Sequence, residues 1–187
     1  MARGRKSTKV KALTYRDVKL IKQLARTGMA NVQQAKEYCN LNKDRLLKLE
    51  KSGYIKNSNH IVRGQNTMII QLDSIGKEYC RQEEGIRTYC KAQTNHLEHD
   101  LKLTEMYYNL TPEIQNTWKH ELQLIQEIYE RFPEQKGNLL NCVDATVQIN
   151  GEVIAIESIG LSYTKEDIEI KENIAKELLG CSRMESV

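Results

Sequence analysis

The sequence contains no long apolar run, and this absence limits the classes of protein to which it can belong. No segment approaches the roughly 18 apolar residues of a membrane span, and no apolar segment follows the basic N-terminus as it would in a signal peptide. The five cysteines are an odd number and form no Cys-x-x-Cys pair, which argues against a disulfide framework or a zinc knuckle. We therefore predict a soluble, cytoplasmic protein with reduced thiols and no membrane association.

Acidic residues are scarce in the first third of the chain and abundant in the rest. Residues 1–66 contain 16 Lys and Arg against 4 Asp and Glu, a net charge of +12, whereas residues 67–187 contain 12 against 21, a net charge of −9. The overall charge of +3 conceals this division. Such asymmetry within one chain suggests that the first third faces a polyanion, although a solvated basic surface would have the same composition.

The basic third has the pattern of a small helical domain that ends in a β-hairpin. A basic arm over residues 1–13 has too few apolar residues to fold alone. Thr14 and Asp17 then form a Thr-x-x-Asp capping box, which predicts the start of a helix. The predicted elements are helices over 14–27, about 31–39 and from 43, two strands around a turn at 63–66, and a fourth helix capped by Asp73.

This order of elements resembles the winged helix-turn-helix family over residues 14–80. The features that resemble it are the capped first helix, the short second helix, the Leu-rich third helix ending in Lys-Ser-Gly-Tyr-Ile, and the hairpin that would form the wing. The resemblance implies binding of double-stranded DNA, with the third helix in the major groove and the wing and arm against phosphates or the minor groove. The candidate DNA-binding residues are Arg3, Arg5, Lys6, Lys43, Arg45, Lys48, Arg63 and Gln65.

Residues 81–187, which lie within the acidic part of the chain, are predicted to form a small α+β domain. The expected elements are a helix over 73–110 in two pieces broken near 94–95, helices over 112–131 and 164–179, and a hairpin over 139–159 whose first strand is 139–149. Asn150 and Gly151 favour a type I′ hairpin turn, because both accept a positive φ.

Several metal-ligating residue types occur near the predicted helix ends of this domain. They are His96, His99, Asp100, His120 and Glu121. His96 and His99 are three residues apart and can share a helix face. The spacing matches no zinc motif, so a polar seam between two packed helices is the simpler interpretation, and no metal site is predicted.

Asp144 and Glu157 lie one hairpin apart, so their carboxylates could hold a Mg²⁺ ion between neighbouring strands. The string Val-Asp-Ala…Ile-Glu around them resembles the core of the PD-(D/E)xK nuclease superfamily. That resemblance implies a lysine two residues after the Glu, where this chain has Ile159, so Lys165 or Lys171 would have to replace it. The superfamily fold also adds strands beyond the last helix, whereas that helix stops at Gly180 and only seven residues follow. The pair is therefore interpreted as a degenerate nuclease core or a chance hairpin.

The combination of a basic winged helix, a His-x-x-His-Asp-Leu string and the Asp-Ala…Ile-Glu hairpin resembles the replication-relaxation family of plasmids, phages and other mobile elements. The resemblance implies a sequence-specific DNA-binding protein that regulates transcription, replication or transfer of its element. We therefore predict a double-stranded DNA-binding homodimer that is not an enzyme and needs no cofactor, and whose acidic domain supports dimerisation or recruits a protein partner. The alternatives are a Mg²⁺-dependent nuclease that uses Asp144 and Glu157, and an adaptor whose acidic domain is the working part.

Overall fold

Two compact units make up the chain, unit 1 (Met1–Ala92) and unit 2 (Gln93–Val187). A computed structural model describes residues 7–92, 95–139, 141–160 and 163–187. Each unit combines helices with a small sheet, so the predicted α+β class is confirmed. In the described part of the chain, no helix has the length and apolar character needed to cross a membrane. Three candidate DNA-binding residues of the arm, Arg3, Arg5 and Lys6, lie outside the described residues.

The first three helices of unit 1 form where the sequence pattern predicts them, and each begins after a capping residue. The Thr14 hydroxyl accepts a hydrogen bond from the backbone N–H of Asp17, whose carboxylate accepts one from the N–H of Thr14. Asn31 and Gln34 form the same reciprocal box at the second helix, and Asn42 caps the third. These side chains satisfy N–H groups that a helix leaves unpaired in its first turn. The helices are α1 (Tyr15–Thr27), α2 (Val32–Cys39) and α3 (Lys43–Lys51).

A three-stranded antiparallel sheet completes this helical arrangement. Its strands are β1 (Met29–Asn31), β2 (Ile55–Val62) and β3 (Gln65–Leu72), in the order β1-β3-β2. Arg63 and Gly64 alone connect β2 to β3, with φ values of 49° and 75°, as a tight two-residue hairpin turn requires. The turn predicted over 63–66 was therefore too long, because Gln65 already pairs with Val62.

A fourth helix, α4 (Ser74–Glu83), follows the hairpin and packs closely against it. A Cβ atom at Gly76 would lie 2.1 Å from the carbonyl oxygen of Tyr54, so this contact requires a glycine. The prediction that this helix continues to residue 94 was wrong. Gly85 takes a positive φ of 67°, and the N–H of Ile86 bonds back to the carbonyl of Cys80, which ends the helix.

The core of unit 1 joins the apolar faces of its helices to one face of the sheet. Its largest fully buried side chains come from α1, α3 and the three strands. They are Leu20, Ile21, Leu24, Met29, Leu46, Leu49, Ile55, Ile69 and Ile70. Burial of this set holds α3 against the sheet and leaves the polar face of α3 in solvent.

Unit 2 begins with helices that are shorter than the sequence pattern predicts. They are α5 (Leu97–Asn109), α6 (Pro112–Thr117) and α7 (Glu121–Arg131). The single helix predicted over 112–131 was wrong, because the two-residue strand β4 (Lys119–His120) interrupts it. Trp118 precedes this strand with an extended backbone, is 1% exposed, and packs edge-on against Tyr107 at a ring-centroid distance of 5.4 Å. Burial of this ring directs the chain out of the helix and into the sheet.

A four-stranded mixed sheet forms the centre of unit 2, in the order β4-β5-β6-β7. The further strands are β5 (Ala145–Ile149), β6 (Glu152–Glu157) and β7 (Arg183–Ser186). β4, β5 and β6 are antiparallel neighbours, and β7 is parallel to β6. The connection from β6 to β7 is α8 (Lys165–Asn173), which continues as a π turn over Ile174–Leu178. The turn between β5 and β6 has the predicted positive φ values, 52° at Asn150 and 86° at Gly151.

Two expectations about this sheet were wrong. The strand predicted over 139–149 begins only at Ala145, because Cys142 and Val143 pack into the core beside Leu124 and Ile128 instead of pairing in the sheet. The final residues do form a strand, β7, although none was expected after the last helix. Its sequence, Arg-Met-Glu-Ser, has no β-rich run, and only its pairing with β6 makes it a strand.

Candidate functional site

The candidate basic residues of unit 1 lie on α3 and on the hairpin between β2 and β3. Lys43 stands in the first turn of α3 and is exposed, and Lys48 lies further along the same helix, half-buried. Arg63 occupies the hairpin turn, and Gln65 begins β3; both are exposed. These four side chains reach solvent at two places that the winged-helix resemblance assigns to DNA.

Arg45 is committed to an ion pair inside unit 1. Its guanidinium donates to both carboxylate oxygens of Asp17, at 2.9 Å and 2.5 Å, and to the carbonyl of Ala12 at 3.0 Å. Asp17 is fully buried. Burial alone would raise the pKa of Asp17, but the hydrogen bonds from Arg45 and Thr14 outweigh it and hold that pKa below its usual range. The Arg45 side chain therefore joins α3 to α1.

In unit 2, Asp144 and Glu157 come together at the same end of two paired strands. Ala145 pairs with Ile156, which places Asp144 at the start of β5 beside Glu157 at the end of β6. The backbone N–H of Asp144 donates to Glu157 Oε2 at 3.1 Å. The N–H of Ser158 donates to Asp144 Oδ2 at 2.7 Å. The two carboxylates that the sequence singled out thus form one cluster.

Lys171 of α8 completes this cluster with a cation. Its ammonium nitrogen lies 2.6 Å from Glu157 Oε1 and donates to the carbonyl of Cys142 at 2.9 Å. The ammonium also lies 5.5 Å from the ring centre of Tyr163, whose hydroxyl donates to Glu157 Oε1 at 2.8 Å. Of the two lysines suggested from the sequence, Lys165 is exposed at the start of α8 and Lys171 is the one that reaches the carboxylates.

His99 of α5 approaches the same carboxylates from the other direction. Its Nε2 lies 3.0 Å from Asp144 Oδ2, and its Nδ1 lies 3.1 Å from Asp100 Oδ1. Hydrogen bonds to Asp100 and then to Asp144 raise the pKa of His99 to about 10. Of the histidines noted in the sequence, His96 is exposed, and His120 is buried at the start of α7.

The carboxylates of this cluster lie close to one another and are largely shielded from water. Burial, and then the charge of Asp144, raise the pKa of Glu157, while Lys171 opposes this rise. Burial and the charge of Asp144 also raise the pKa of Glu121, the first residue of α7. The donor atoms of His99, Asp144 and Glu157 lie within 4.8 Å of one another. Two carboxylates and an imidazole at this spacing are a donor set that fits a divalent cation.

The sequence contains a signal for Lys171 that is separate from the nuclease motif. Lys171 falls among the positions of the last helix that face inward, between Ile168 and Ala175, and it is 7% exposed. A lysine on the apolar face of a helix needs a buried partner, because an unpaired charge is costly in the core. His99 has no comparable signal, because its contact with Asp144 joins residues distant in sequence.

Comparisons of the chain with models of known families, with curated proteins and with solved structures gave no match.

Proposed function

We propose that unit 1 is a winged helix-turn-helix that binds double-stranded DNA. The observation that carries this proposal is the order of its elements, α1-β1-α2-α3-β2-β3, combined with the sheet order β1-β3-β2. In this arrangement α3 is the recognition helix and the β2–β3 hairpin is the wing. Lys43 on α3 and Arg63 in the hairpin are exposed basic residues at these two places, and further exposed basic residues lie elsewhere in unit 1.

The interface that we propose consists of Lys43 and Lys48 on α3 and Arg63 and Gln65 on the wing. Lys43 is in the first turn of α3, from which a recognition helix contacts base edges in the major groove. Arg63 projects from a two-residue turn, where an exposed cation can contact phosphate. We leave Arg45 out of the interface, because its donors are taken up by Asp17 and Ala12.

Fluorescence anisotropy with duplex fragments from the neighbourhood of the gene, measured across a range of salt concentrations, tests this proposal. Phosphate contacts make the affinity fall with salt, and removal of one such contact reduces the slope of log K against log salt by about 0.9. We expect Lys43→Ala and Arg63→Ala each to weaken binding. The control is Lys176→Ala, whose side chain is 76% exposed in unit 2. Equal affinity and equal salt slope in all four proteins would contradict the interface.

A second candidate function, a metal-dependent nuclease, is favoured by the contact between Lys171 and Glu157. In unit 2 the hairpin of β5 and β6 is followed by α8 and by β7, which lies parallel to β6, and the resemblance to the PD-(D/E)xK core implies a strand beyond that helix. The residue missing from that motif is a lysine beside the Glu, and Lys171 supplies an ammonium there from α8. Four residues beyond that helix, Arg183–Ser186, form the fourth strand.

The residues of the cluster have distinct tasks in such a reaction. Asp144 and Glu157 would hold a divalent cation, which when bound supplies Lewis-acid stabilisation of charge on a phosphate. Lys171 uses two N–H donors on Glu157 and Cys142, and among the described residues nothing accepts its third. That donor can orient a water molecule or a phosphate oxygen. Tyr163 fixes the Glu157 carboxylate through its hydroxyl.

Incubation of supercoiled plasmid and linear duplex with Mg²⁺ or Mn²⁺ tests the nuclease. We expect cleavage by the natural chain and loss of cleavage in Asp144→Asn. Glu177→Gln is the matched control, because this carboxylate lies in the π turn after α8, is 68% exposed and is not part of the cluster. Intact DNA with both metals, under conditions in which the protein binds it, would contradict the nuclease and leave the DNA-binding function.

If DNA is bound but not cleaved, the function that we propose is that of a regulator. It would control transcription, replication or transfer of a mobile element and act as a homodimer, with unit 2 contacting a second copy or another protein. Sedimentation of the free protein and of its DNA complex measures the number of copies. A monomer in the free protein, together with one copy per DNA site in the complex, would contradict the homodimer.

A further inference from the structure

The imidazole of His99 gives the carboxylate cluster of unit 2 a nitrogen donor that the two-carboxylate motif does not contain. His99 Nε2 lies 3.0 Å from Asp144 Oδ2. The donor atoms of His99, Asp144 and Glu157 lie within 4.8 Å of one another. Ligands placed about 2.1 Å from one ion are about 3–4 Å apart, so small side-chain movements would bring these three around a single cation.

Asp100 orients the His99 ring in the way that metal sites require. Its Oδ1 lies 3.1 Å from His99 Nδ1, on the side of the ring that faces away from Asp144. Histidines that ligate metals almost always donate their second N–H to a carboxylate or a carbonyl, which fixes the tautomer and the ring orientation. With Nδ1 held by Asp100, Nε2 is the nitrogen that faces the carboxylates of Asp144 and Glu157, and a cation bound there would displace the proton that Nε2 shares with Asp144.

We infer that His99, Asp144 and Glu157 form a divalent-cation site in which the histidine makes a first-row transition metal such as Mn²⁺ the preferred ion over Mg²⁺. Mg²⁺ is bound through oxygen ligands and retains several waters. Imidazole binds transition metals more readily, so one nitrogen in the donor set shifts the preference of the site. The inference rests on the proposed nuclease and names its metal. Binding of the metal to the cluster can be measured without DNA, so it is tested separately from cleavage.

Electron paramagnetic resonance on the full chain with Mn²⁺ as the probe tests this site directly. Titration of the free Mn²⁺ signal gives the dissociation constant, and competition with Mg²⁺ gives the preference. We expect Mn²⁺ to bind more tightly than Mg²⁺. Pulsed measurement should detect coupling of bound Mn²⁺ to a histidine nitrogen, which is a property of the ligand and independent of catalysis.

His99→Gln and His96→Gln form a matched pair for this experiment. His96 is an exposed histidine three residues away, with its ring centre 6.5 Å from that of His99. In His99→Gln we expect the nitrogen coupling to disappear and the Mn²⁺ dissociation constant to rise by at least about 10-fold, because even the loss of a residue that only orients a ligand costs about 10- to 100-fold. In His96→Gln we expect the coupling and the affinity to match those of the natural chain.

Bound Mn²⁺ without nitrogen coupling in the natural chain would overturn the inference, as would the absence of Mn²⁺ binding. That measurement needs no variant, so it decides the question even if His99→Gln fails to fold. Mn²⁺ bound with nitrogen coupling but without any DNA cleavage would contradict the nuclease and leave the metal site intact. Cleavage that proceeds with Mg²⁺ and is unchanged in His99→Gln would support the nuclease and contradict the histidine ligand.

Discussion

Replacing Lys171 with Met tests the buried ion pair at the centre of unit 2. The ammonium of Lys171 lies 2.6 Å from Glu157 Oε1, and the two side chains are only 9% and 0% exposed. Removing one partner of a buried pair costs about 3–5 kcal/mol, because the other charge remains in the interior without compensation. Tyr163 and the N–H of Asp144 still donate to Glu157, so we expect a loss near the lower end, about 3 kcal/mol in the free energy of unfolding.

The cost of Lys171→Met should depend on pH in a defined direction. Burial and Asp144 already raise the pKa of Glu157, and removal of Lys171 removes the main group that opposes this rise. The folded protein then binds a proton at Glu157 more readily than the unfolded chain does. The stability loss is therefore full above the folded-state pKa and shrinks as the pH falls toward the unfolded value of about 4.3.

Urea unfolding followed by tryptophan fluorescence measures this effect in unit 2 alone. Trp118 is the single tryptophan of the chain, lies in unit 2 and is 1% exposed, so its emission reports the unfolding of that unit. The control is Lys176→Met, because Lys176 is 76% exposed and its nearest carboxylate, Glu177, is 3.9 Å away. We expect that control to stay within about 0.5 kcal/mol of the natural chain. A similarly small change in Lys171→Met, at neutral pH, would refute the ion pair.

Three further predictions concern unit 1, and hydrogen exchange of its helices measures each of them. Gly76→Ala places a Cβ 2.1 Å from the Tyr54 carbonyl and should lower the free energy of unfolding by about 1–3 kcal/mol; unchanged protection of α4 would contradict this contact. Arg45→Ala leaves the buried Asp17 without its cation and should lower the free energy of unfolding by about 1–3 kcal/mol. The control Lys43→Ala should lower it by less than about 0.5 kcal/mol. Equal losses in the two variants would argue against the ion pair. The pKa of Asp17 is held below its usual range, so the contribution of this carboxylate to the free energy of unfolding should be complete at neutral pH and be lost as the pH falls below about 4. Asp17→Asn should abolish this dependence on pH.

Elements with a local chemical signal were predictable from the sequence. The capping boxes at Thr14 and Asn31 each need only residues within one helical turn, and both helices begin where these residues predict. The turn at Asn150 and Gly151 needs two residues that accept a positive φ. In each case the stabilising hydrogen bond or backbone conformation joins near neighbours, so the order of residues is sufficient to place the element.

Elements that depend on a distant partner were not predictable in the same way. The helical periodicity over 112–131 is real, but pairing of Lys119 and His120 with β5 interrupts it. β7 has no strand-forming sequence and exists through its pairing with β6. Burial of Trp118 against Tyr107 adds to the first of these effects. Tertiary contacts therefore overrode local propensity at both places.

The candidate site shows the same division between sequence and tertiary structure. The sequence by itself singled out Asp144 and Glu157, because one hairpin with a defined turn brings two positions on adjacent strands together. The sequence did not decide whether Lys165 or Lys171 accompanies these carboxylates. It also indicated only that His99 belongs to a polar contact between two packed helices. Only the tertiary structure brings Lys171 of α8 and His99 of α5 to those carboxylates, at 2.6 Å and 3.0 Å. The physical reason is that strand register follows from a local turn, whereas the position of a helix against a sheet depends on how the whole core packs.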